Sequence, residues 1–305
     1  MGLAPLNRAS ESVRQWGPFL KSAFEVAWML RKKWTMGASV LAGLLSTTAA
    51  ALAAAPQNWQ MDFQPAVTPV MAAIEDFNRL LLVIITLISL FVLALLAWIV
   101  VRYNQRANPT PSKVSHNTLL EVVWTLVPVI ILVLIAIPSF KLLYFQADAP
   151  PADLKINAIG HQWYWTYQYP DKGKLQFDSI VLTDEQAAKK GEPRLLGVDN
   201  PIVVPVNKVV WVVTSGSDVI HSWAVPAFGV KMDAIPGRLN TTWFKAEKLG
   251  TYYGQCSQLC GARHAYMPIE VKVVSEADFE AWLANAKKQF AANDDGMTRT
   301  AALTK

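Results

Sequence analysis

Two long apolar segments dominate the first half of the chain. Residues 80–101 contain no charged side chain over 22 positions, and residues 122–140 contain none over 19. About 20 apolar residues in a helix cross the hydrocarbon core of a bilayer. The connecting loop carries Arg102, Arg106 and Lys113 and no acid before Glu121, and such positive loops stay cytoplasmic. The pattern predicts a transmembrane hairpin over residues 79–145 with both ends in the periplasm.

A third apolar run lies nearer the N-terminus. The basic residues 31–33 precede a run over residues 36–54 that is rich in alanine, leucine and serine, and Ala51-Leu52-Ala53 is a small-residue cleavage pattern. These features indicate a signal peptide over residues 1–54. The alternative is a third membrane helix, which the small and polar residues disfavour. Met29 and Met36 are alternative start sites.

Short strand patterns alternate with turns after Pro150 and Pro151. Four β-rich runs, at residues 155–159, 202–206, 209–213 and 269–273, are separated by turn signals. Their spacing predicts an all-β sandwich or Greek-key barrel over residues 146–275, behind a periplasmic N-terminal segment over residues 55–78. Ser275 is a predicted helix N-cap, so residues 276–305 are expected to form a C-terminal helix and a mobile tail.

The net charge of +5 changes this picture little. Residues 1–53 contribute +4 of it, which leaves +1 for the remainder. The basic balance is thus mostly a property of the leader. No basic stripe interleaved with aromatic residues is present, so the sequence gives no support for nucleic-acid binding.

The candidate chemistry is concentrated in one loop. It contains the only two cysteines, Cys256 and Cys260, together with His264 and Met267. Taken alone, two cysteines in an exported protein favour a disulfide. The histidine and methionine change the balance, because a soft set of sulfur and imidazole ligands selects copper. A mononuclear blue-copper site uses a single cysteine, so we interpret the loop as a two-copper centre with bridging thiolates.

One more imidazole is needed, and His221 is the candidate. It precedes an apolar stretch that ends at Pro226. A lone histidine beside apolar residues is by default a core residue. Here a copper loop lacks an imidazole, and imidazole binds copper well, which favours the ligand role.

Five segments together resemble subunit II of the haem–copper cytochrome c oxidases. They are residues 116–125, 160–165, 218–226, 233–238 and the loop that begins at Cys256. The resemblance implies a two-helix transmembrane hairpin followed by an all-β cupredoxin-like Greek-key barrel. It also implies a multi-pass protein of the inner (cytoplasmic) membrane that accepts electrons from cytochrome c at binuclear copper, called copper A. Oxidase subunits I and III are the implied partners, and subunit I reduces oxygen to water with coupled proton translocation.

The resemblance also assigns the copper ligands. One copper takes His221 and Met267, the other takes His264 and the backbone carbonyl of Gln258, and the two cysteines bridge them. Relatives commonly carry glutamate at position 258, and its carboxylate binds magnesium at the interface with subunit I. Because magnesium prefers carboxylate oxygen, Gln258 predicts a weakened magnesium site.

Two further roles follow from the resemblance. Trp163, in an aromatic cluster that is also typical of a core strand or a membrane interface, is implied as the point where electrons arrive. Glu121 is implied as the entrance of a proton path into subunit I. An ionisable group at a membrane boundary is a functional candidate, but a carboxylate at a helix N-terminus also suits the helix dipole. We interpret His161 as structural.

Cytochrome c is basic, so its docking surface should be acidic. The candidates are Asp218, Asp178, Asp171 and Asp233. A nearly neutral mature chain argues against a strongly acidic surface.

Two other functions are compatible with parts of the pattern. A quinol-oxidase relative would be a structural subunit without copper, which the intact cysteine, histidine and methionine set disfavours. A periplasmic copper carrier would need no two-span anchor. The absence of a Cys-x-x-Cys-His sequence excludes a fused c-type cytochrome.

Overall fold

The computed structural model describes residues 55–173 and 175–291. The predicted signal peptide and the predicted tail after Ala291 lie outside the described residues.

The two apolar segments form helices α1 (Pro69–Arg102) and α2 (Thr118–Ala147). Thr68 caps α1, since its hydroxyl accepts the N–H of Met71, and Asn117 caps α2 in the same way. Their apolar windows have mean hydropathies of 3.2 and 2.7 and contain no buried residue, so these faces are free to meet lipid. The predicted hairpin is confirmed.

Helix α1 is longer than the membrane requires. Its 34 residues correspond to roughly 50 Å at 1.5 Å per residue, against a hydrocarbon core of about 30 Å. The extra turns lie before residue 80, where the sequence predicted only a periplasmic segment. They pack on the globular domain, because Val70 and Met71 are buried and the Thr68 hydroxyl donates to the carbonyl of Phe228 at 2.7 Å.

The described residues after the hairpin form ten strands. They are β1 (Leu154–His161), β2 (Tyr164–Tyr169), β3 (Leu175–Ser179), β4 (Ile202–Pro205), β5 (Val209–Gly216), β6 (His221–Val225), β7 (Val230–Ala234), β8 (Asn240–Lys245), β9 (Gly250–Cys256) and β10 (Pro268–Val274). All four predicted β-rich runs are among them.

The strands make two five-stranded sheets. The first has the order β3-β2-β1-β5-β8 and the second the order β4-β10-β9-β6-β7. Two neighbouring pairs, β1 with β5 and β4 with β10, are parallel, and the others are antiparallel. The predicted all-β, cupredoxin-like domain is confirmed as two sheets around one core.

Burial follows the period of two that a half-buried strand requires. Strand β5 alternates strictly between buried and half-buried residues. The core between the sheets is rich in large side chains, among them Trp165, Trp223 and Phe244, which are at most 1 % exposed. Such a closely packed interior resists displacement of its side chains.

The outer face of the second sheet is also covered, by the connection between β3 and β4. This connection contains a short helix, α3 (Asp184–Lys190), which the sequence analysis did not predict. The signal was present, because Thr183 and Gln186 form a capping box. The cover explains why Glu270 of β10 is buried, with its carboxylate accepting the N–H of Val198 at 2.9 Å.

The predicted C-terminal helix is α4 (Glu276–Ala291). The Ser275 hydroxyl accepts the N–H of Asp278 at 3.2 Å, as predicted for an N-cap. Phe279 and Leu283 are buried, and Trp282 packs on Tyr169 with ring centroids 5.4 Å apart. The helix therefore closes the end of the core that lies away from the cysteine loop.

Candidate metal centre

The turn between β9 and β10 holds most of the candidate ligands. Cys256 is the last residue of β9, and Met267 directly precedes β10. The backbone N–H of Cys256 donates to the carbonyl of Met267 at 3.4 Å, which closes the base of the loop. Trp165 donates its indole N–H to the same carbonyl at 3.3 Å. Two buried strands thus hold both ends of the ligand loop.

His221 reaches the loop from the neighbouring strand. In the β6–β9 pairing, Trp223 lies opposite Cys256, and the N–H of Ser257 donates to the carbonyl of Ser222 at 3.0 Å. The ring of His221 is fully buried. It fits there because position 160 is glycine: a Cβ at Gly160 would lie 2.6 Å from the ring carbon Cδ2. The sheet register, rather than sequence proximity, brings this histidine to the cysteines.

The donor atoms converge on one small volume. The sulfurs of Cys256 and Cys260 are 3.9 Å apart, and both thiols are free. The Nδ1 atom of His221 lies 3.9 Å from the Cys256 sulfur, and the Nδ1 atom of His264 lies 3.5 Å from the Cys260 sulfur. The Met267 sulfur also lies 3.5 Å from the Cys260 sulfur.

The remaining predicted ligand atom is in the same place. The carbonyl oxygen of Gln258 lies 3.3 Å from the Cys256 sulfur, while the side chain of Gln258 is exposed. The structure therefore brings all six predicted ligands together.

This donor set fits thiolate-bridged metal. A first-row metal–thiolate bond is about 2.3 Å, so an ion bonded to two thiolates spans at most about 4.6 Å between the sulfurs. The observed 3.9 Å is within that reach. Ligand atoms of His221, Cys256 and Cys260 all lie within 4.8 Å of one another, and all three residues are buried. A soft, buried, convergent set of this kind suits copper.

The two thiols differ in acidity. Burial disfavours the Cys256 thiolate, but hydrogen bonds with His221 and the backbone of Ser222 outweigh it and lower the pKa of Cys256. Burial and the neighbouring Cys256 raise the pKa of Cys260 to about 12. Burial opposes the imidazolium of His221, yet Cys256 and Asp218 raise its pKa above 6.5. Metal uptake must therefore displace a proton from Cys260.

Three residues behind the ligands were not predicted to contact them. Asp218 accepts a hydrogen bond from His221 Nε2 at 2.8 Å and from the N–H of Gln162 at 2.7 Å. Gln162 also donates its side-chain amide to the carbonyl of Cys260 at 2.7 Å. Gly160 lies under the imidazole. The available sequence signal was the spacing of Asp218 three residues before His221, although Asp218 was predicted only as a docking residue.

Trp163 lies beside the ligand loop. It is half-buried and packs on the core. A Cβ at Gly261, the residue after Cys260, would lie 3.1 Å from the Trp163 ring. Trp163 is thus in close contact with the backbone next to Cys260, a predicted bridging cysteine.

His161 differs from Trp163 in its hydrogen bonds, which involve side chains that are not candidate ligands. Its Nδ1 atom lies 2.7 Å from the Ser217 hydroxyl, and its Nε2 atom lies 3.0 Å from the Thr166 hydroxyl. Hydrogen bonds within the chain engage both ring nitrogens, in agreement with a structural role.

The four candidate docking acids are spread over the domain. Asp218 touches the site, Asp233 lies in β7 opposite Ser222, and Asp178 accepts from the Thr166 hydroxyl at 2.6 Å. Asp171 follows the far end of β2, roughly 20 Å along the strand from Trp163. Of the four, only Asp218 has a hydrogen bond to a candidate ligand residue.

Glu121 is remote from all of these residues. It is exposed in the first turn of α2, 26 residues before the end of that helix, which corresponds to roughly 39 Å. Any role of this carboxylate is separate from that of the metal ligands.

Comparisons with known proteins point to one family over both parts of the chain. Residues 154–274 match the family described as cytochrome c oxidase subunit II, periplasmic domain. Residues 56–142 match the corresponding transmembrane domain. A probable cytochrome c oxidase subunit 2 of Rickettsia bellii is 49% identical over 84% of this chain and 94% of its own length. Cytochrome c oxidase subunit 2 of Cereibacter sphaeroides is 44% identical over 81% of this chain and 89% of its own.

A solved structure is also similar to part of the chain. The periplasmic domain of subunit II of cytochrome oxidase from Bradyrhizobium japonicum is 60% identical. The match covers 47% of this chain and 99% of that one, with a TM-score of 0.44.

Proposed function

The chain belongs to the cytochrome c oxidase subunit II family, and on that premise we propose that it is the electron-accepting subunit of a respiratory cytochrome c oxidase. Electrons from cytochrome c arrive at a binuclear copper A centre in the periplasmic domain. They then pass to haem in subunit I, where oxygen is reduced to water with coupled proton translocation.

The convergence of the six donor atoms supports this proposal most directly. Cys256 and Cys260 would bridge the metals, His221 and Met267 would complete one coordination sphere, and His264 with the Gln258 carbonyl would complete the other. When bound, the copper pair takes up and releases one electron at a time. The residues contribute rigidity, because ligands fixed by buried strands need little rearrangement between oxidation states. Trp165 and the Cys256–Met267 backbone contact supply that rigidity.

Trp163 is the proposed point where electrons arrive. Its contact with the loop backbone at Gly261 supplies a short route through packed atoms to Cys260. Asp218 accepts the N–H of Gln162, the residue before Trp163. Together with Asp178 and Asp233, it is proposed to offer negative charge to a basic cytochrome c. Asp171 belongs to the same proposed set, and its distance from Trp163 predicts the smallest effect of the four.

The hairpin supports a place in the inner membrane, with both mature termini in the periplasm. Subunits I and III are the proposed neighbours of its lipid-exposed faces. Glu121, at the cytoplasmic end of α2, is the proposed entrance of a proton path into subunit I. The exposed amide of Gln258 provides no carboxylate for magnesium, so we propose a weakened magnesium site at the interface with subunit I.

The decisive experiment measures copper in the assembled oxidase. The complex would be purified with this chain, its copper counted per chain, and its electron-spin-resonance spectrum recorded. The proposal expects a centre of two coppers that share one unpaired electron, in addition to any copper of the partner. A single localised copper in this chain would point to a mononuclear carrier, and a chain without copper would point to the structural role of the quinol-oxidase relatives.

A further inference from the structure

Asp218 is engaged by this chain on both carboxylate oxygens. Oδ1 lies 2.8 Å from His221 Nε2 and 2.6 Å from the N–H of Val219. Oδ2 accepts the N–H of Gln162 at 2.7 Å. The side chain is 33% exposed, whereas that of His221 is fully buried. Asp218 therefore joins a buried ligand residue to the surface turn that precedes Trp163.

The first contact fixes which nitrogen of His221 can bind metal. A neutral imidazole carries one N–H and one lone pair, and a hydrogen bond at one nitrogen selects the tautomer. The proton on Nε2 is held by the Asp218 carboxylate. In the neutral ring that binds metal, Nδ1 is then left with its lone pair directed toward Cys256, 3.9 Å away.

The second contact fixes the turn that carries Trp163. The backbone of Gln162 is held by Asp218, and its side chain is held by the carbonyl of Cys260 at 2.7 Å. The next residue, Trp163, lies against Gly261. The carboxylate of Asp218 thus contacts both His221, the proposed copper ligand, and the turn that carries Trp163, the proposed point where electrons arrive.

We propose that Asp218 is a positioning residue that orients His221 for copper and holds the Gln162–Trp163 turn against the ligand loop. This inference rests on the proposed copper centre and deepens it. It gives Asp218 an inward role that a docking acid would not need, because a docking acid acts through its charge alone.

Two substitutions separate charge from geometry. In the D218N variant, the amide oxygen can occupy only one of the two carboxylate oxygen positions. Its NH2 group then faces either His221 and the N–H of Val219, or the N–H of Gln162. The variant also removes the negative charge of Asp218 from beside His221. Because this charge stabilises the more positive, oxidised centre, its loss favours the reduced centre. The D218E variant keeps the charge but moves the carboxylate by one methylene, which breaks the paired contacts.

The test uses the purified oxidase complex and two readouts of the copper centre, the histidine couplings in its spin-resonance spectrum and its reduction potential. For D218N we expect that two coppers still bind and that the histidine couplings change. We also expect the reduction potential to rise by about 59 mV, which corresponds to a tenfold change in the one-electron equilibrium constant. D178N is the matched control, since it removes a nearby charge from a residue that touches no ligand. It should leave the couplings unchanged.

The D218E variant keeps the test decisive if D218N does not assemble. It should retain the salt dependence of cytochrome c association but show altered couplings. If both Asp218 variants keep the wild-type couplings and potential, and only D218N changes association, Asp218 is a docking residue and the inference is wrong. A wild-type complex without the shared-electron spectrum would instead refute the copper centre itself.

Discussion

Replacing Gly160 with alanine perturbs the proposed copper site by a single methyl group. A Cβ at this position would lie 2.6 Å from Cδ2, 2.7 Å from Cγ and 2.9 Å from Cβ of His221. Carbon atoms pack best at roughly 3.5–4.0 Å. The imidazole must therefore shift by about 1 Å, or β1 must move away from it.

Either movement costs folding free energy, because both the imidazole and the strand are held in place. The imidazole is fully buried, and its Nε2 atom is held 2.8 Å from Asp218. Strand β1 is paired on both sides, since Gly160 lies opposite Trp165 in β2 and beside Gly216 in β5. Overpacking of this kind costs about 1–3 kcal/mol. We expect G160A to lose that much stability and to misplace His221, a proposed copper ligand.

The assay combines thermal unfolding with copper content and the spin-resonance spectrum of the assembled oxidase. The control is G191A, at a position with φ +70° and nothing within 4 Å of the added Cβ. It should lose about 1–2 kcal/mol through backbone strain alone, with a normal copper spectrum. If G160A keeps the wild-type stability and spectrum, then the contact with Gly160 does not fix His221, and the reasoning fails.

Three further predictions concern separate parts of the domain. Burial raises the pKa of Glu270 above its ordinary 4.5, so the stability due to its bound proton is present below pH 4.5 and is lost as pH rises through the raised value. Relative to wild type, the E270Q variant should therefore gain stability as pH rises, and a constant difference in chemical denaturation across that range would contradict this. The Q258E variant should bind more Mg²⁺ or Mn²⁺ at the interface with subunit I, which manganese spin resonance can detect in complexes from manganese-grown cells; equal occupancy in both proteins would remove the argument from Gln258. The W163F variant should slow reduction by cytochrome c in stopped-flow measurements while leaving the copper spectrum intact, and an unchanged rate would exclude Trp163 as the point where electrons arrive.

The fold was predictable wherever a segment of the chain carried one clear local pattern. Segments without charge predicted both membrane helices, and β-rich runs between turn signals predicted β5 and β10, which the structure contains. The early start of α1 was not predicted, because its first turns pack on the globular domain rather than on lipid. Such tertiary packing leaves no hydropathy signal, although the Thr68-Pro69 pair is a local signature of a helix start.

In the candidate site, too, local spacing predicted some residues, and only the tertiary structure revealed the others. Cys256, Cys260, His264 and Met267 lie within 12 residues, so their spacing alone identified them as a group. His221 required the further assumption that a ligand was missing. The contacts of Gly160 and Gln162 depend on the registers of two sheets, and no short-range pattern encodes a register that spans 56 to 98 residues.

The position of the copper loop relative to the membrane also depends on residues far from the loop. Trp211 and Trp243 lie directly opposite each other in β5 and β8. Trp243 donates its indole N–H to the carbonyl of Gln146 at 3.0 Å, and Trp211 donates to that of Pro150 at 2.8 Å.

This tryptophan pair thus holds the segment where the chain leaves α2. On the other helix, Thr68 donates to Phe228 and ties the start of α1 to the turn after β6. Strand β6 begins with His221, a proposed copper ligand, and the turn that directly follows this strand carries the attachment to α1. Because both helices are tied to the sandwich, a change in either junction should alter the height of the loop above the bilayer without touching a ligand. Under the proposed function, such residues would set the distance between the electron-accepting loop and the membrane, whereas the loop would set the chemistry of electron acceptance.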